Sequence, residues 1–253
     1  MHALYWLAEG GSMLNLLKSA VFALLISVTP VYAEVLVMGT SDGPPYMIQA
    51  TETGLDIDIP RAALKAVGYD MRLQFYPLAR AMRELQLEQI QLTAPFFVNP
   101  PNGIYVSAPH IEYRPIVISM QGVPAIKSFA QLGKYKLATF QGAIGYFGKE
   151  LQQAATVSPA YIEHHDMGKL VSLLVQKRTD AVLLDYSIFN YYLDQSGYPE
   201  VRKQLVFHDF IPKVPATVAF HDKGLRDRFN QGLKIIRENG TYDKIVNRYR
   251  RFE

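Results

Sequence analysis

Residues 54–77 read GLDIDIPRAALKAVGYDMRLQFYP, and this stretch shows how the whole chain is built. Acidic residues follow Gly54, Pro60 is acceptable in a first turn, and Gly68 ends the apolar pattern, so the first part is predicted to be a helix. Over 71–77, apolar and polar side chains alternate with the two-residue period of a half-buried strand. A helix followed by a strand is the repeating unit of an α/β protein.

The same alternation of strands and helices continues along the chain. A second unit begins after YRPIVIS at 113–119, and its segment GYFGKELQQA is predicted to be one helix over 145–154. Two successive α/β units, each with its own apolar strands, predict two lobes. Ligands of such sheets bind beyond the carboxyl ends of the strands. The strand ends predicted to line a cleft between the lobes are at 40–46, 76–77, 94–97, 139–142 and 183–186.

The first 33 residues have the pattern of a secretory signal. Lys18 precedes the nine-residue apolar run AVFALLISV, and TPVYA then ends a small-residue cleavage pattern at Ala33. A membrane span needs about 20 apolar residues, so the run favours a cleaved signal over an anchor. Both Met1 and Met13 remain open as the start. Cleavage predicts a periplasmic protein consisting of residues 34–253.

Composition excludes several classes of protein. The chain has no cysteine, which excludes disulfide bonds and a thiol-linked lipid anchor, so apolar burial must stabilise the fold. The formal net charge is +3, and no run of like charges precedes RYRRF at the end, which argues against a nucleic-acid-binding surface. His164 and His165 precede an aspartate, but adjacent residues on a strand point to opposite faces. Neither a metal nor a cofactor is predicted.

Three segments together resemble the family 3 periplasmic solute-binding proteins, the polar-amino-acid receptors of ABC importers. They are GLDIDIPRAALKAVGY, KRTDAVLLDYSIFNYYL and the tail RENGTYDKIVNRY, and they occur in the order typical of the family. The resemblance implies the two-lobe, type II periplasmic binding protein fold with a hinge and a central cleft. It implies a first lobe made of 34–116 and 217–253, a second lobe of 117–216, a monomer, and a permease partner in the inner membrane.

The resemblance also implies how a ligand is held, and this chain departs from that pattern. Receptors of the family bind the ligand carboxylate with an arginine before the F-S-x-P-Y segment, but PFFVNPPNGIYVSAP has none at that place. The second-lobe loop QGAIG lacks the threonine hydroxyl, although backbone N–H groups after Gly142 remain available to an anion. Asp185 matches the acid that binds the ammonium group. The ligand is therefore predicted to be an amino acid or amine-like solute.

The first strand and the next one end in candidate binding residues. Pro44 and Pro45 stiffen the loop that carries Tyr46, which is predicted to form a wall of the site. Asp42 is predicted either to meet a ligand donor or to cap the turn. Tyr76 is predicted to lie over the ligand. The alternative roles of Arg80 are anion binding and an i,i+4 pair with Glu84.

The remaining candidates follow later strands. If the strand alternates, Phe96 and Phe97 point to opposite faces, so one faces the ligand and the other belongs to the core. Gln141 offers an amide in the loop that crosses the cleft. Asp185 follows a fully apolar strand, where a carboxylate needs a partner, and it also stands where it can cap the next helix. GAIGYFGKE is not a phosphate loop, because its glycine spacing and the residue after its lysine differ from that pattern.

These features predict a periplasmic receptor that closes two lobes on a small polar solute and passes it to an ABC importer. A related enzyme, resembling cyclohexadienyl dehydratase, is the alternative on the same fold. Such an enzyme needs a positioned acid and cationic clamps for two carboxylates, and the scarcity of arginine in the predicted cleft argues against it. A ligand-sensing partner of a membrane receptor also remains open.

Overall fold

The computed structural model of the protein describes residues 33–97 and 99–252. The predicted signal segment, apart from Ala33, lies outside the described residues. The chain from Glu34 onward forms one structural unit. Among the described residues, no helix is both long enough and apolar enough to cross a membrane.

Strands and helices alternate along much of the described chain, as the sequence pattern predicts, but over 92–120 and 205–220 strands follow one another without a helix between them. The strands are β1 (Glu34–Thr40), β2 (Tyr69–Phe75), β3 (Leu92–Phe96), β4 (Tyr105–Val106), β5 (Ile111–Tyr113), β6 (Pro115–Met120), β7 (Leu137–Phe140), β8 (Tyr161–His164), β9 (Ala181–Asp185), β10 (Leu205–His208) and β11 (Val214–Phe220). The α-helices are α1 (Leu55–Ala66), α2 (Leu78–Gln86), α3 (Phe129–Leu132), α4 (Ala143–Phe147), α5 (Lys149–Val157), α6 (Met167–Val175), α7 (Tyr186–Gln195), α8 (Lys223–Glu238) and α9 (Thr241–Tyr249). Two 3₁₀ segments are Pro199–Gln204 and Arg250–Phe252.

These strands form two sheets. The first has the order β2-β1-β3-β11-β4, with β5 also paired to β11, and the second has the order β10-β6-β9-β7-β8. In the first sheet β1 is parallel to β2 and β3, and in the second sheet β7 is parallel to β8 and β9. The chain passes from the first sheet to the second at Arg114 and returns over 209–213. The strands before and after the crossings are neighbours, β5 with β11 and β6 with β10, so the two crossings lie side by side.

One hydrophobic cluster contains buried side chains of both sheets. It includes Met38 and Phe220 from the first sheet, and Ile118 and Leu184 from the second. Burial of apolar area is the main favourable term in folding, and in a chain without cysteine it carries the stability. The shared cluster brings the loop after β1 against the end of β9.

Helix α1 begins at Leu55, so the expectation that Pro60 lies in the first turn is wrong. Pro60 is inside the helix, where it lacks the N–H that would bond to the carbonyl of Asp56. The helix persists because its apolar face is buried, including Ile57, Ile59 and Leu64.

The single helix predicted over 145–154 is two helices, α4 and α5. Gly148 separates them with a φ of 73°, a left-handed conformation that glycine adopts without the steric cost of a Cβ. The break turns α4 into a short segment that carries Tyr146 beside the end of β7.

Candidate ligand-binding site

The loop after β1 holds Tyr46 in one position through backbone contacts. The Tyr46 N–H donates to the carbonyl of Gly43 at 3.1 Å, and the Tyr46 carbonyl accepts from the N–H of Asp56 at 2.9 Å. Gly54 precedes helix α1 with a φ of 136°, and a Cβ there would lie 2.1 Å from the Tyr46 carbonyl oxygen. The start of α1 and the Tyr46 loop are therefore in backbone contact.

Tyr46 connects the first sheet to the second through Asp185. The Tyr46 hydroxyl donates to Oδ1 of Asp185 at 3.1 Å. The same carboxylate accepts from the backbone N–H groups of Ser187 at 2.9 Å, Ile188 at 3.2 Å and Arg114 at 2.6 Å. Asp185 thus caps helix α7, as its alternative role predicted, and four hydrogen bonds occupy its two oxygens.

Burial changes the protonation of both partners. Desolvation raises the pKa of Asp185 to about 6, although the backbone hydrogen bonds and the Tyr46 hydroxyl oppose the shift. Desolvation also raises the pKa of Tyr46 well above its ordinary value, and the nearby Asp185 charge adds to this. At neutral pH the carboxyl group is mostly ionised and the phenol is a neutral donor.

Five aromatic side chains meet around Tyr46, and we call them the aromatic cluster: Tyr46, Phe97, Tyr113, Phe140 and Tyr146. Tyr113 stacks on Tyr46 with ring centroids 3.8 Å apart, and Phe97 meets Tyr113 edge-on at 4.9 Å. Tyr146 contacts Phe97 at 5.6 Å and Phe140 at 6.0 Å. Desolvation, followed by the charge of Asp185, raises the pKa of Tyr146 to about 12, so its hydroxyl also lies near that carboxylate.

A buried carboxylate supports the Tyr113 side of the aromatic cluster. Asp56, in the first turn of α1, is fully buried and accepts from the Tyr113 hydroxyl and from Nε2 of His110, the latter at 2.5 Å. Because a carboxylate only accepts, this contact assigns the hydrogen to Nε2 of His110. The Tyr242 hydroxyl donates to the His110 carbonyl at 2.7 Å.

Asp42 caps the turn, the second of its two predicted roles, and it also lies near the helices of the second sheet. It is exposed, and its Oδ1 accepts from the N–H of Gln49 at 2.8 Å. The pKa of Tyr192, on helix α7, is raised to about 12 by desolvation and then by the charges of Asp42 and Asp166. Asp42 therefore lies close to the junction of the two sheets.

Of the predicted site residues, Tyr76, Arg80 and Phe96 lie in other surroundings than the aromatic cluster. Arg80 binds Glu84 at 3.3 Å, and its guanidinium lies 4.8 Å from the ring centroid of Tyr76. Phe96 belongs to a separate hydrophobic cluster against which Tyr76 packs, whereas Phe97 points into the aromatic cluster. The two phenylalanines thus have different surroundings, as strand alternation predicts.

The loop after β7 already holds an anion from its own chain. The N–H groups of Gly142 and Ile144 donate to the carboxylate of Glu163 at 2.8 and 3.2 Å, and the Tyr161 hydroxyl donates at 2.7 Å. The expectation that these amides remain available to an anion must be corrected, because Glu163 occupies them. Gln141 is exposed, and its N–H donates to the His164 carbonyl at 3.1 Å.

The expectation that His164 and His165 point to opposite faces of a strand is wrong. Their rings stack with centroids 4.8 Å apart, because β8 ends at His164 and the alternation of the strand stops there. Among the described residues, no group of three or more His, Cys, Asp or Glu side chains is arranged to hold a metal ion.

A cavity of about 750 Å³ lies at the two crossings, beside Tyr46. Its wall includes Glu112, Arg114, Asp209 and Lys213. Arg114 pairs with Asp209, and Lys213 pairs with Glu112 at 3.6 Å, so these lining charges are compensated. The cavity borders the aromatic cluster at Tyr46. The other predicted site residues do not line it: Asp42, Tyr76, Arg80, Phe96, Phe97, Gln141 and Asp185.

Sequence reasoning missed Tyr113, Tyr146, Asp56 and Glu163. Asp56 carried a signal, because it is an acid in a predicted apolar helix face, and Tyr113 opens the segment YRPIVIS that precedes the predicted second unit. Nothing in the local sequence shows that Glu163 binds the Gly142 loop, since the two loop amides lie 19 and 21 residues away.

Comparisons with known proteins give one family match and one similar sequence. The family model described as bacterial extracellular solute-binding proteins, family 3, matches residues 36–252. The arginine-binding extracellular protein ArtP of Bacillus subtilis (strain 168) is 22% identical over 236 residues, which cover 85% of each chain.

Two solved structures have a similar fold. An ancestral arginine-binding protein bound to arginine has a TM-score of 0.68 and 20% identity, covering 86% of this chain and 99% of its own. An ancestral amino-acid-binding protein, described as a precursor of cyclohexadienyl dehydratase, has a TM-score of 0.64 and 22% identity, covering 85% of this chain and 94% of its own.

Proposed function

The chain belongs to the bacterial extracellular solute-binding proteins, family 3, and has their two-lobe α/β fold; on this premise we propose that it is a periplasmic receptor for a small amine-bearing solute. We set the lobe boundaries at the two crossings instead of at 116 and 217, because β6 begins at Pro115 in the second sheet and β11 begins at Val214 in the first; the first lobe is then 34–114 and 214–252, and the second is 115–208. The lobes close on the solute, and the closed form delivers it to the permease of an ABC importer.

The observation that carries this proposal is the hydrogen bond between Tyr46 and Asp185. The two side chains stand at strand ends of different sheets, 139 residues apart in sequence. The chain crosses between the sheets only twice within the described residues, at Arg114 and over 209–213. A pair of adjacent crossings permits rotation of one lobe against the other, and separation of the lobes breaks the Tyr46–Asp185 contact.

The ligand's amino group takes the place of the Tyr46 hydroxyl as a donor to Asp185. Three of the carboxylate's hydrogen bonds come from the backbone and fix its orientation, so Tyr46 is the exchangeable partner. The rings of the aromatic cluster then contact the body of the ligand, while Asp42 and Gln141 lie at the rim. The similarity to arginine-binding proteins supports an amino group as the recognised feature.

Ligand-induced closure is testable in the mature protein. We expect at least one compound in a panel of the common amino acids and small amines to raise the melting temperature and to reduce the radius of gyration in solution scattering. Binding of the native state alone stabilises it by mass action. A particle whose dimensions and melting temperature stay constant with every compound of the panel would contradict the receptor proposal.

The affinity for an amine is expected to fall about tenfold between pH 7.5 and pH 5. Because burial raises the pKa of Asp185 to about 6, the group is mostly charged at the higher pH and mostly protonated at the lower one. Protonation removes the charge that the amine contacts. Isothermal titration calorimetry with a panel amine whose own pKa exceeds about 9 measures this change.

Two variants test whether Asp185, and not another acid, causes this pH dependence of the affinity. Asp185→Asn should bind weakly at both pH values, with a flat profile. Asp194→Asn, an exposed acid on the same helix α7, should keep the wild-type profile. A wild-type affinity that does not change between the two pH values would exclude Asp185 as the partner of the amine.

An enzyme on the same fold remains the second candidate, because a buried acid with a pKa of about 6 between two lobes suits proton transfer. Turnover of prephenate or arogenate by the purified protein would support it. A lack of turnover together with ligand-induced closure would leave the receptor proposal.

A further inference from the structure

The anion position of the second lobe is filled by the protein itself. Glu163 accepts from the amides of Gly142 and Ile144 and from the Tyr161 hydroxyl. Desolvation acts to raise the pKa of Glu163, but these three hydrogen bonds outweigh it, and the pKa is lowered. The carboxylate is therefore ionised at neutral pH, and a ligand carboxylate at this loop would meet a negative charge instead of free N–H groups.

Glu163 lies near enough to Asp185 for both charges to act on one bound molecule. Thr139 of β7 pairs with Glu163 of β8 on one side and with Leu183 of β9 on the other. Neighbouring strands are about 4.8 Å apart and a strand rises about 3.3 Å per residue, so the backbone positions of Glu163 and Asp185 are about 12 Å apart in the sheet. A small solute of extended shape spans this distance.

The side chains of Arg114 and Arg80 pair with acids outside this loop. The guanidinium of Arg114 pairs with Asp209 and lies 4.8 Å from the ring centroid of Tyr186. Arg80 pairs with Glu84. Arg114 bonds to Asp185 through its backbone N–H and not through its guanidinium. These two arginines therefore do not neutralise the carboxylates of the site.

The aromatic cluster supplies the complementary attraction. Tyr113 stacks on Tyr46, whose hydroxyl bonds to Asp185, and ring contacts continue through Phe97 to Tyr146 on helix α4, where Glu163 accepts from the Ile144 amide. The negative face of an aromatic ring attracts a cation placed within about 6 Å of its centre. Glu163 thus both fixes the helix that carries Tyr146 and contributes negative charge to the site.

We propose that this site binds a small organic cation that lacks a carboxylate group, and that Glu163 is the residue that excludes carboxylates. This proposal rests on the receptor function above and narrows its substrate class. The cation lies against the aromatic cluster beside Asp185, and the part of the solute that points towards Gly142 is uncharged or cationic.

The test uses two pairs of probes that differ only in the carboxylate: agmatine with L-arginine, and cadaverine with L-lysine. Isothermal titration calorimetry of the wild-type mature protein at pH 7.5 is expected to show at least about tenfold tighter binding of the amine in one pair or both. This comparison needs no substitution, so it holds even if a variant fails to fold.

Glu163→Gln then tests the residue, with Glu150→Gln as the matched control. Glutamine keeps the size of the side chain and an oxygen acceptor for one loop amide, but it removes the charge. We expect the ratio of amine to amino-acid affinity to fall about tenfold in Glu163→Gln, mainly through tighter binding of L-arginine. Glu150 is exposed on the neighbouring helix α5, and its substitution should leave the ratio unchanged.

The outcomes separate this inference from the receptor function. Tighter binding of L-arginine and L-lysine than of their amines overturns the inference and leaves the receptor function standing. An equal loss of affinity for both members of a pair in Glu163→Gln reduces Glu163 to a structural residue and overturns its assigned role. If none of the four probes binds, the inference is overturned, and the receptor function is decided by the wider panel.

Discussion

Replacing Gly54 by alanine is expected to lower the free energy of unfolding by about 3 to 5 kcal/mol and to abolish ligand binding. The backbone at Gly54 has a φ of 136°, and an added Cβ would meet the Tyr46 carbonyl oxygen at 2.1 Å and its carbon at 2.5 Å. Both contacts are with backbone atoms that cannot rotate away. Relief requires the Tyr46 loop to separate from the start of α1, which breaks the 2.9 Å hydrogen bond from the Asp56 N–H.

The measurement is denaturant unfolding followed by circular dichroism, together with calorimetry on the best-bound panel compound. Gly68→Ala is the matched control, because Gly68 also has a positive φ of 89° but no atom lies within 4 Å of the added Cβ. It should cost about 1 to 2 kcal/mol from the backbone conformation alone, with binding retained. Equal losses in the two variants would show that the contact with the Tyr46 loop has no energetic weight.

Replacing Asp56 by leucine is expected to lower the free energy of unfolding by about 4 kcal/mol. Leucine has a similar size but accepts no hydrogen bond, so the Tyr113 hydroxyl and Nε2 of His110 lose their shared acceptor while both side chains stay buried. Each buried donor left without a partner costs about 1 to 3 kcal/mol. Binding should weaken as well, because Tyr113 stacks on Tyr46.

Asp56→Asn distinguishes hydrogen bonding from mere occupancy of the position. The asparagine oxygen still accepts from His110, and the Tyr113 hydroxyl can reverse to accept from the asparagine amide, since a phenol both donates and accepts. We therefore expect a loss of only about 1 kcal/mol. Chemical denaturation of both variants checks this order, and a leucine variant as stable as the asparagine variant would contradict it.

The positions of some candidate residues could be predicted from the sequence, and for one reason. Tyr46 and Asp185 follow apolar strands at positions where parallel sheets expose their carboxyl ends, so local patterns alone place them at an edge. Whether any of these residues binds the ligand is not decided by their position and stays a prediction.

The failures also share a cause. Glu163 reaches the Gly142 loop because β8 pairs with β7 in one register, and a shift by one residue would turn its side chain to the other face. Tyr113 stacks on Tyr46 because the chain crosses between sheets immediately after β5. Local sequence contains neither the register of a strand pair nor the position of a crossing.

By itself, the sequence determined the α/β class, the order of strands and helices and the membership in the solute-binding family, because periodicity and the ordered motifs depend on near neighbours along the chain. Only the tertiary structure decided that Tyr46 donates to Asp185 and that Glu163 occupies the loop amides. These contacts join residues 139 and about 20 positions apart. They form only when sheet order and strand register bring the donors and acceptors within hydrogen-bonding distance.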